Sequence, residues 1–172
     1  MGTTVENIWA AGDVTGGQLA TPIGAREGVV AAENMVTNAQ KQVDYRAIPR
    51  AVFTDPEVGS VGLTEDEADA QGIDCRCQTL DLSYVPKALA IRDTRGVVNM
   101  VIERESHKIL GVHLIASRGA DIIHEAALAV KFGLTAEDLI ETIHVYPTMS
   151  EAIRMVAQMF FKDVGKLSCC AE

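Results

Sequence analysis

A chain of 172 residues, 48% apolar and 23% charged, is long enough to bury one core and to carry a further segment, and it is not the composition of a disordered protein. Its formal net charge of -9 argues against a phosphate-binding face, because the 15 basic residues are scattered rather than clustered, so nucleic acid is not expected as a partner. No apolar stretch approaches the roughly 20 residues of a membrane span, and the first residues fit neither a signal peptide nor the myristoylation pattern. A cytoplasmic protein with no membrane partner is expected.

The chain opens with a short apolar stretch, residues 7–11, that reads as a strand running into Gly12-Asp13 and Gly16-Gly17. Thr21-Pro22 suits a helix start, with Thr21 as the cap and Pro22 in the first turn. Small and apolar residues over 23–36 predict a closely packed helix. Strand, glycine turn and helix make half of a nucleotide-binding unit, which cannot form an α/β sheet alone. Residues 38–46 are polar and read as a linker.

The pattern then changes. Residues 51–53 and 58–61 read as short strands around an Asp55-Pro56 turn. Thr64-Glu65-Asp66-Glu67 is a capping box that opens a helix ending near Gly72. Residues 75–82 alternate as a strand, and 97–102 with 109–115 form a hairpin joined by the polar segment 103–108. Residues 120–132 predict a helix apolar nearly all round, ended by Gly133; either core burial or a subunit interface accounts for it. Thr135 caps a short helix. Thr148-Met149-Ser150-Glu151 is a third capping box, before a helix with Ile153, Val156, Ala157 and Phe160 at helical spacing. Residues 165–172 are a polar tail. Strands before helices indicate an α+β domain, one antiparallel sheet with helices packed on it.

The four cysteines are Cys75, Cys77, Cys169 and Cys170. In a reducing compartment such pairs are metal-binding or redox-active more often than they are disulfides. Adjacent thiols on a polar tail suit a soft metal ion; an incidental exposed pair is the alternative. Cys75 and Cys77, two apart on a strand, share a face and read as packing residues, with metal binding the other option. His107, His113, His124 and His144 show no ligand spacing and read as structural.

Three stretches resemble the pyridine-nucleotide disulphide oxidoreductases: Ala10-Ala11-Gly12-Asp13, the run from Phe53-Thr54-Asp55-Pro56 to Gly62-Leu63-Thr64, and Tyr146-Pro147-Thr148-Met149-Ser150-Glu151, where the family usually has His-Pro-Thr-x-x-Glu. The last stretch departs from the family in having Tyr146 for the His that protonates a departing thiol. That departure, together with the terminal Cys169-Cys170, resembles the mercuric reductase branch. The resemblance implies a sheet-and-helix dimerisation domain at 45–164, after a remnant of an FAD-binding domain at 1–44 and before a metal-handling tail at 165–172. It implies FAD and NADPH as cofactors of the intact enzyme, Hg(II) or its thiol complexes as substrate, and a homodimer. It places Asp13 on the flavin's ribityl chain and Gln18, Leu19 and Ala20 near the flavin ring; a plain turn aspartate is the alternative for Asp13. It makes Cys169 and Cys170 the thiols that take up Hg(II) and pass it on, and puts Tyr146 beside the metal, with a packed aromatic as the alternative. Without the His, the capping role of Glu151 is sufficient to account for it, and the Tyr146-Pro147 bond is expected to be cis as in the family. No Gly-x-Gly-x-x-Gly and no redox dithiol occur; the family carries them upstream, so a piece of a longer enzyme is expected. The other readings are a non-catalytic dimerisation or metal-binding module and another flavin-dependent disulphide reductase such as a lipoamide dehydrogenase.

Overall fold

The computed structural model describes residues 1–163 and 165. The chain divides into two compact units, Met1–Tyr45 and a second from Arg46 onward. No helix among the described residues is long and apolar enough to cross a membrane.

The first unit holds a 3-10 turn, Asp13–Thr15, and the helix α1, Thr21–Thr37. Residues 7–11 do not form the expected strand: only Trp9 pairs, as an isolated antiparallel bridge to Gly2. The expected cap of α1 is also displaced by one residue. Thr21 is already helical, and the extended Ala20 precedes it without a side-chain cap. Pro22, with no N–H to satisfy, falls in the first turn as expected. Ile23, Glu27, Val30, Ala31 and Asn34 are buried at helical spacing, while Val29, Met35 and Val36 face outward. Asn34 anchors the following segment by donating to the Lys41 carbonyl (2.9 Å) and accepting from the Lys41 N–H (2.8 Å).

The second unit is a five-stranded antiparallel sheet with helices, as the α+β pattern predicts. In chain order its strands are β1 (Arg50–Val52), β2 (Glu57–Gly62), β3 (Cys75–Asp81), β4 (Val97–Glu103) and β5 (Ile109–Ala116). Their spatial order is β1-β2-β5-β4-β3. The β4–β5 hairpin forms in register from Val97↔Ile115 to Ile102↔Ile109, with an irregularity at Val101/Ile102. The helices are α2 (Glu65–Ala70), α3 (Pro86–Ile91), α4 (Gly119–Phe132), α5 (Ala136–Glu141) and α6 (Glu151–Gln158). Period-2 burial puts Val98, Met100 and Ile102 of β4, with Val112 and Leu114 of β5, in one core with Ile122, Ile123 and Ala126 of α4 and Ile153 and Val156 of α6. Val101 and Cys75 face the other way, beneath Ala68 of α2.

Two of the three capping boxes close on both sides, at Thr64/Glu67 and at Thr135/Asp138. The third forms only by half. The Thr148 N–H donates to Glu151 (3.3 Å), but the Thr148 hydroxyl, which donates to the Val145 carbonyl (2.8 Å), accepts no helix N–H. α6 therefore starts at Glu151, after a Ser150 that gives no side-chain cap. α3 has no sequence signal beyond Pro86 at its start.

The nearly all-apolar α4 divides its surface. Ile122, Ile123, Ala126, Ala127 and Ala129 are buried, whereas Leu128 and Phe132 are exposed. Its start approaches β2 as closely as backbone allows. A Cβ added at Gly119 would lie 2.6 Å from the Glu57 carbonyl oxygen, and one at Gly59 would lie 2.7 Å from the Gly119 carbonyl oxygen. The Ala120 N–H donates to the Glu57 carboxylate (3.0 Å), which satisfies one of the helix's free N–H groups.

α4 also anchors the loop after α5. His144, whose side chain is 7% exposed, bonds the Glu125 carboxylate through Nε2 (2.6 Å) and the Thr142 carbonyl through Nδ1 (2.9 Å). Both partners are acceptors, so both ring nitrogens donate and the ring is an imidazolium. The bond to Glu125 holds the His144 pKa above its ordinary 6.5, against desolvation and the Arg154 charge.

Two outcomes follow from these contacts. Gly119→Ala is expected to destabilise the unit by about 1–3 kcal/mol in urea unfolding, since the methyl meets backbone rather than a movable side chain. The His144 anchor contributes stability that is fully present below the unfolded-state pKa and is lost as pH rises through the raised folded-state pKa. Unfolding free energy should therefore fall as pH rises from the ordinary histidine value of 6.5 into the alkaline range, and His144→Gln should flatten that fall. An unchanged pH profile in the variant would remove His144 as its source.

Candidate functional site

In the first unit the candidate cofactor residues flank the start of α1. Gly12 has a left-handed φ of 80°, which the turn into Asp13 requires, and Cβ space at Gly24 ends 3.1 Å from the Gly12 Cα. Asp13 opens the 3-10 turn with its side chain exposed. Gln18 is half-buried, Leu19 is exposed, and Ala20 is the extended residue before α1. The structure thus leaves a carboxylate acceptor and the start of a 17-residue helix on the same short segment.

The residue that holds this turn, Glu27, escapes sequence reading. It is 2% exposed, and its carboxylate accepts the Gly12 N–H (2.6 Å) and the Tyr45 hydroxyl (2.7 Å). The Tyr45 bond first, then the Gly12 bond, lower its pKa, and the same contact raises that of Tyr45. The available signal was a carboxylate at helical spacing between the apolar Ile23 and Val30.

Tyr146 lies in the second unit. The Tyr146-Pro147 bond is cis, as expected, and so is Asp55-Pro56. The Tyr146 side chain is half exposed, and its neighbours Ile143 and Val145 are 97% and 76% exposed. Glu151 beneath the turn is 4% exposed; desolvation raises its pKa, partly offset by the Thr148 N–H. Its observed work is to accept that N–H rather than to complete a cap. The segment 142–148 is therefore fixed at both ends, by His144 on Glu125 and by Thr148 on Glu151 and Val145, and it presents Tyr146 outward between them. His144 lacks any local sequence signal, because its partner Glu125 is brought to it only by packing.

Cys169 and Cys170 lie outside the described residues. The other two cysteines are paired with acids. The Cys77 thiol donates to Glu65 (3.1 Å), and that bond with burial pushes its pKa up to about 11. Cys75 is buried beside Asp69 (3.7 Å), and desolvation pushes its thiol up as well. Both stay protonated near neutral pH, the wrong form for a metal ligand. Among the described residues no group of three or more His, Cys, Asp or Glu could hold a metal ion. His113 bridges the Ser60 hydroxyl (2.8 Å) and the Leu63 carbonyl (3.1 Å), and His107 bonds Glu137 (2.5 Å).

The pyridine nucleotide-disulphide oxidoreductase dimerisation domain matches residues 48–157. A mercuric reductase of Lysinibacillus sphaericus is 44% identical over 169 residues, 98% of this chain and 31% of that protein. A dihydrolipoyl dehydrogenase of Halobacterium salinarum is 41% identical over 156 residues, 91% of this chain and 33% of the relative. Among solved structures, the HOCl-induced flavoprotein disulphide reductase RclA of Escherichia coli superposes with a TM-score of 0.81 at 30% identity, over 91% of this chain and 36% of that one. The chain spans about a third of the length of the curated relatives it matches. It belongs to the pyridine nucleotide-disulphide oxidoreductases and carries their dimerisation domain.

Proposed function

We propose that this chain is part of a mercuric reductase, in which it supplies dimerisation, part of the flavin site and the thiols that receive Hg(II). The observation that carries the reading is the side chain at position 146. The cis-proline turn and the buried Glu151 of the family motif are in place, yet a phenol occupies the position where a disulphide reductase needs an imidazole. Reducing a metal ion requires no proton transfer to a departing thiol, so the phenol is compatible with mercury chemistry and not with thiol protonation near neutral pH. The 44% identity to a mercuric reductase supports the same reading. The dihydrolipoyl dehydrogenase at 41% identity favours the second reading, a lipoamide dehydrogenase-like enzyme, which would have to work without that imidazole.

The residues of the first unit fit part of a flavin site. Asp13 offers an exposed carboxylate for hydroxyl groups, its turn is held by Glu27, and the start of α1 favours negative charge. In the whole enzyme FAD and NADPH would supply the two electrons that convert Hg(II) to Hg(0). The chain's own residues bind and hand over the ion. The Cys169 and Cys170 thiolates each attack mercury as an outgoing thiolate leaves, so the ion is never released free. The same exchange, run onward, delivers it to a dithiol of the partner subunit, and Tyr146 stands beside the ion as a weak oxygen ligand or hydrogen-bond donor.

A homodimer follows from the domain and from the apolar side chains left on the surface, including Leu128, Phe132, Ile143 and Val145. Light scattering at roughly 100 µM should give twice the 18.5 kDa chain mass; a monomer at that concentration contradicts it. The tail should bind one Hg(II) per chain through two thiolates. Mercury titration under thiol competition should lose this site in a Cys169→Ala/Cys170→Ala variant. Equal stoichiometry and affinity in both proteins would place the mercury elsewhere and sink the tail's assignment, leaving the dimer untouched.

A further inference from the structure

Beside the Tyr146-Pro147 turn, α3, the start of α4 and the residues before α6 line an open cleft of about 590 Å³, within the size range of small-ligand sites. Lys87 and Arg118 line it, together with Ser150 and the apolar Ile122 and Met149. Among the described residues neither the Lys87 ammonium nor the Arg118 guanidinium has an ion-pair or hydrogen-bond partner. Asp121 is the one carboxylate in the lining. The chain as a whole carries -9, so two unpartnered cations facing one concavity run against its overall charge. Arg118 also holds a left-handed φ of 63° at the cap of α4, a conformation that glycine would adopt with less strain.

We propose that this cavity binds a small organic dicarboxylate. Arg118 presents a planar fork of N–H donors that suits one carboxylate, and Lys87 presents a point charge for the second. The Ser150 hydroxyl adds a donor, and the wall of Ile122 and Met149 packs the connecting methylenes. Such a ligand has two sources: a free dicarboxylic acid, or the carboxylates of a thiol that carries Hg(II). The second source rests on the mercury reading of the adjacent Tyr146; the first does not.

The test is an amide NMR titration of the full chain with succinate. A second arm uses the Cys169→Ala/Cys170→Ala variant and the Hg(II) complex of mercaptosuccinate, so the tail cannot capture the ion. Sulfate at equal ionic strength is the control. Saturable shifts confined to residues near 87, 118 and 147–150 are expected, and the arm that saturates names the source. Lys87→Gln/Arg118→Gln should weaken binding at least about tenfold. Asp121→Asn, which removes the opposing charge, should tighten it and provides an effect of opposite sign that misfolding cannot mimic. Absence of saturation in both arms, equal shifts with sulfate, or undiminished binding by the Lys87/Arg118 variant overturns the site.

Discussion

The seat of α4 on β2 is the contact on which the second unit depends. Two backbones meet there with no room for a Cβ on either side, at Gly59 and at Gly119, and Glu57 caps the helix from the strand beneath it. A helix brought this close presents Ile122, Ile123 and Ala126 to the sheet without a gap, which gives dispersion contacts and apolar burial together. The same placement determines where Glu125 stands. Through Glu125 it fixes His144, and through His144 the turn that carries Tyr146. Arg118 and Asp121, at the start of the helix, reach the neighbouring cavity for the same reason.

Buried charge is used in both units, and each instance is satisfied differently. In the first unit Glu27 is a carboxylate in an apolar setting, stabilised by two donors and held ionised by them. It ties down the Gly12 turn, beside which Asp13 is exposed. In the second unit His144 is charged because both its neighbours are acceptors, while Glu151, with a single long bond, is pushed toward its neutral form by burial. A cis-proline turn and a buried carboxylate thus frame the half-exposed Tyr146.

The thiols follow the same logic. Cys75 and Cys77 have acids as neighbours, and acids favour the protonated thiol over the thiolate. They are packing residues with weak S–H donors, whatever their spacing on β3. Metal chemistry assigned to Cys169 and Cys170 rests instead on adjacency and on a soft ion's small demand for geometry, neither of which needs a folded frame.

Elements whose signals lie within a few residues were legible in the sequence. The β4–β5 hairpin, the Thr64 and Thr135 capping boxes and the Gly133 stop belong to this class, whereas the cis Tyr146-Pro147 bond was expected from the family resemblance alone. The resemblance carried by residues 53–64 and 146–151 supplied the family. Tertiary structure decided what depends on partners far along the chain. The Thr148 hydroxyl serves the turn rather than the helix, and residues 7–11 lack the neighbours that would make them a strand. The roles of Glu27 and His144 also emerge only when packing brings Gly12, Tyr45 and Glu125 beside them. A local hydrogen bond is encoded by spacing, whereas a buried charge is encoded by whichever distant donors and acceptors surround it, and only the folded chain specifies those.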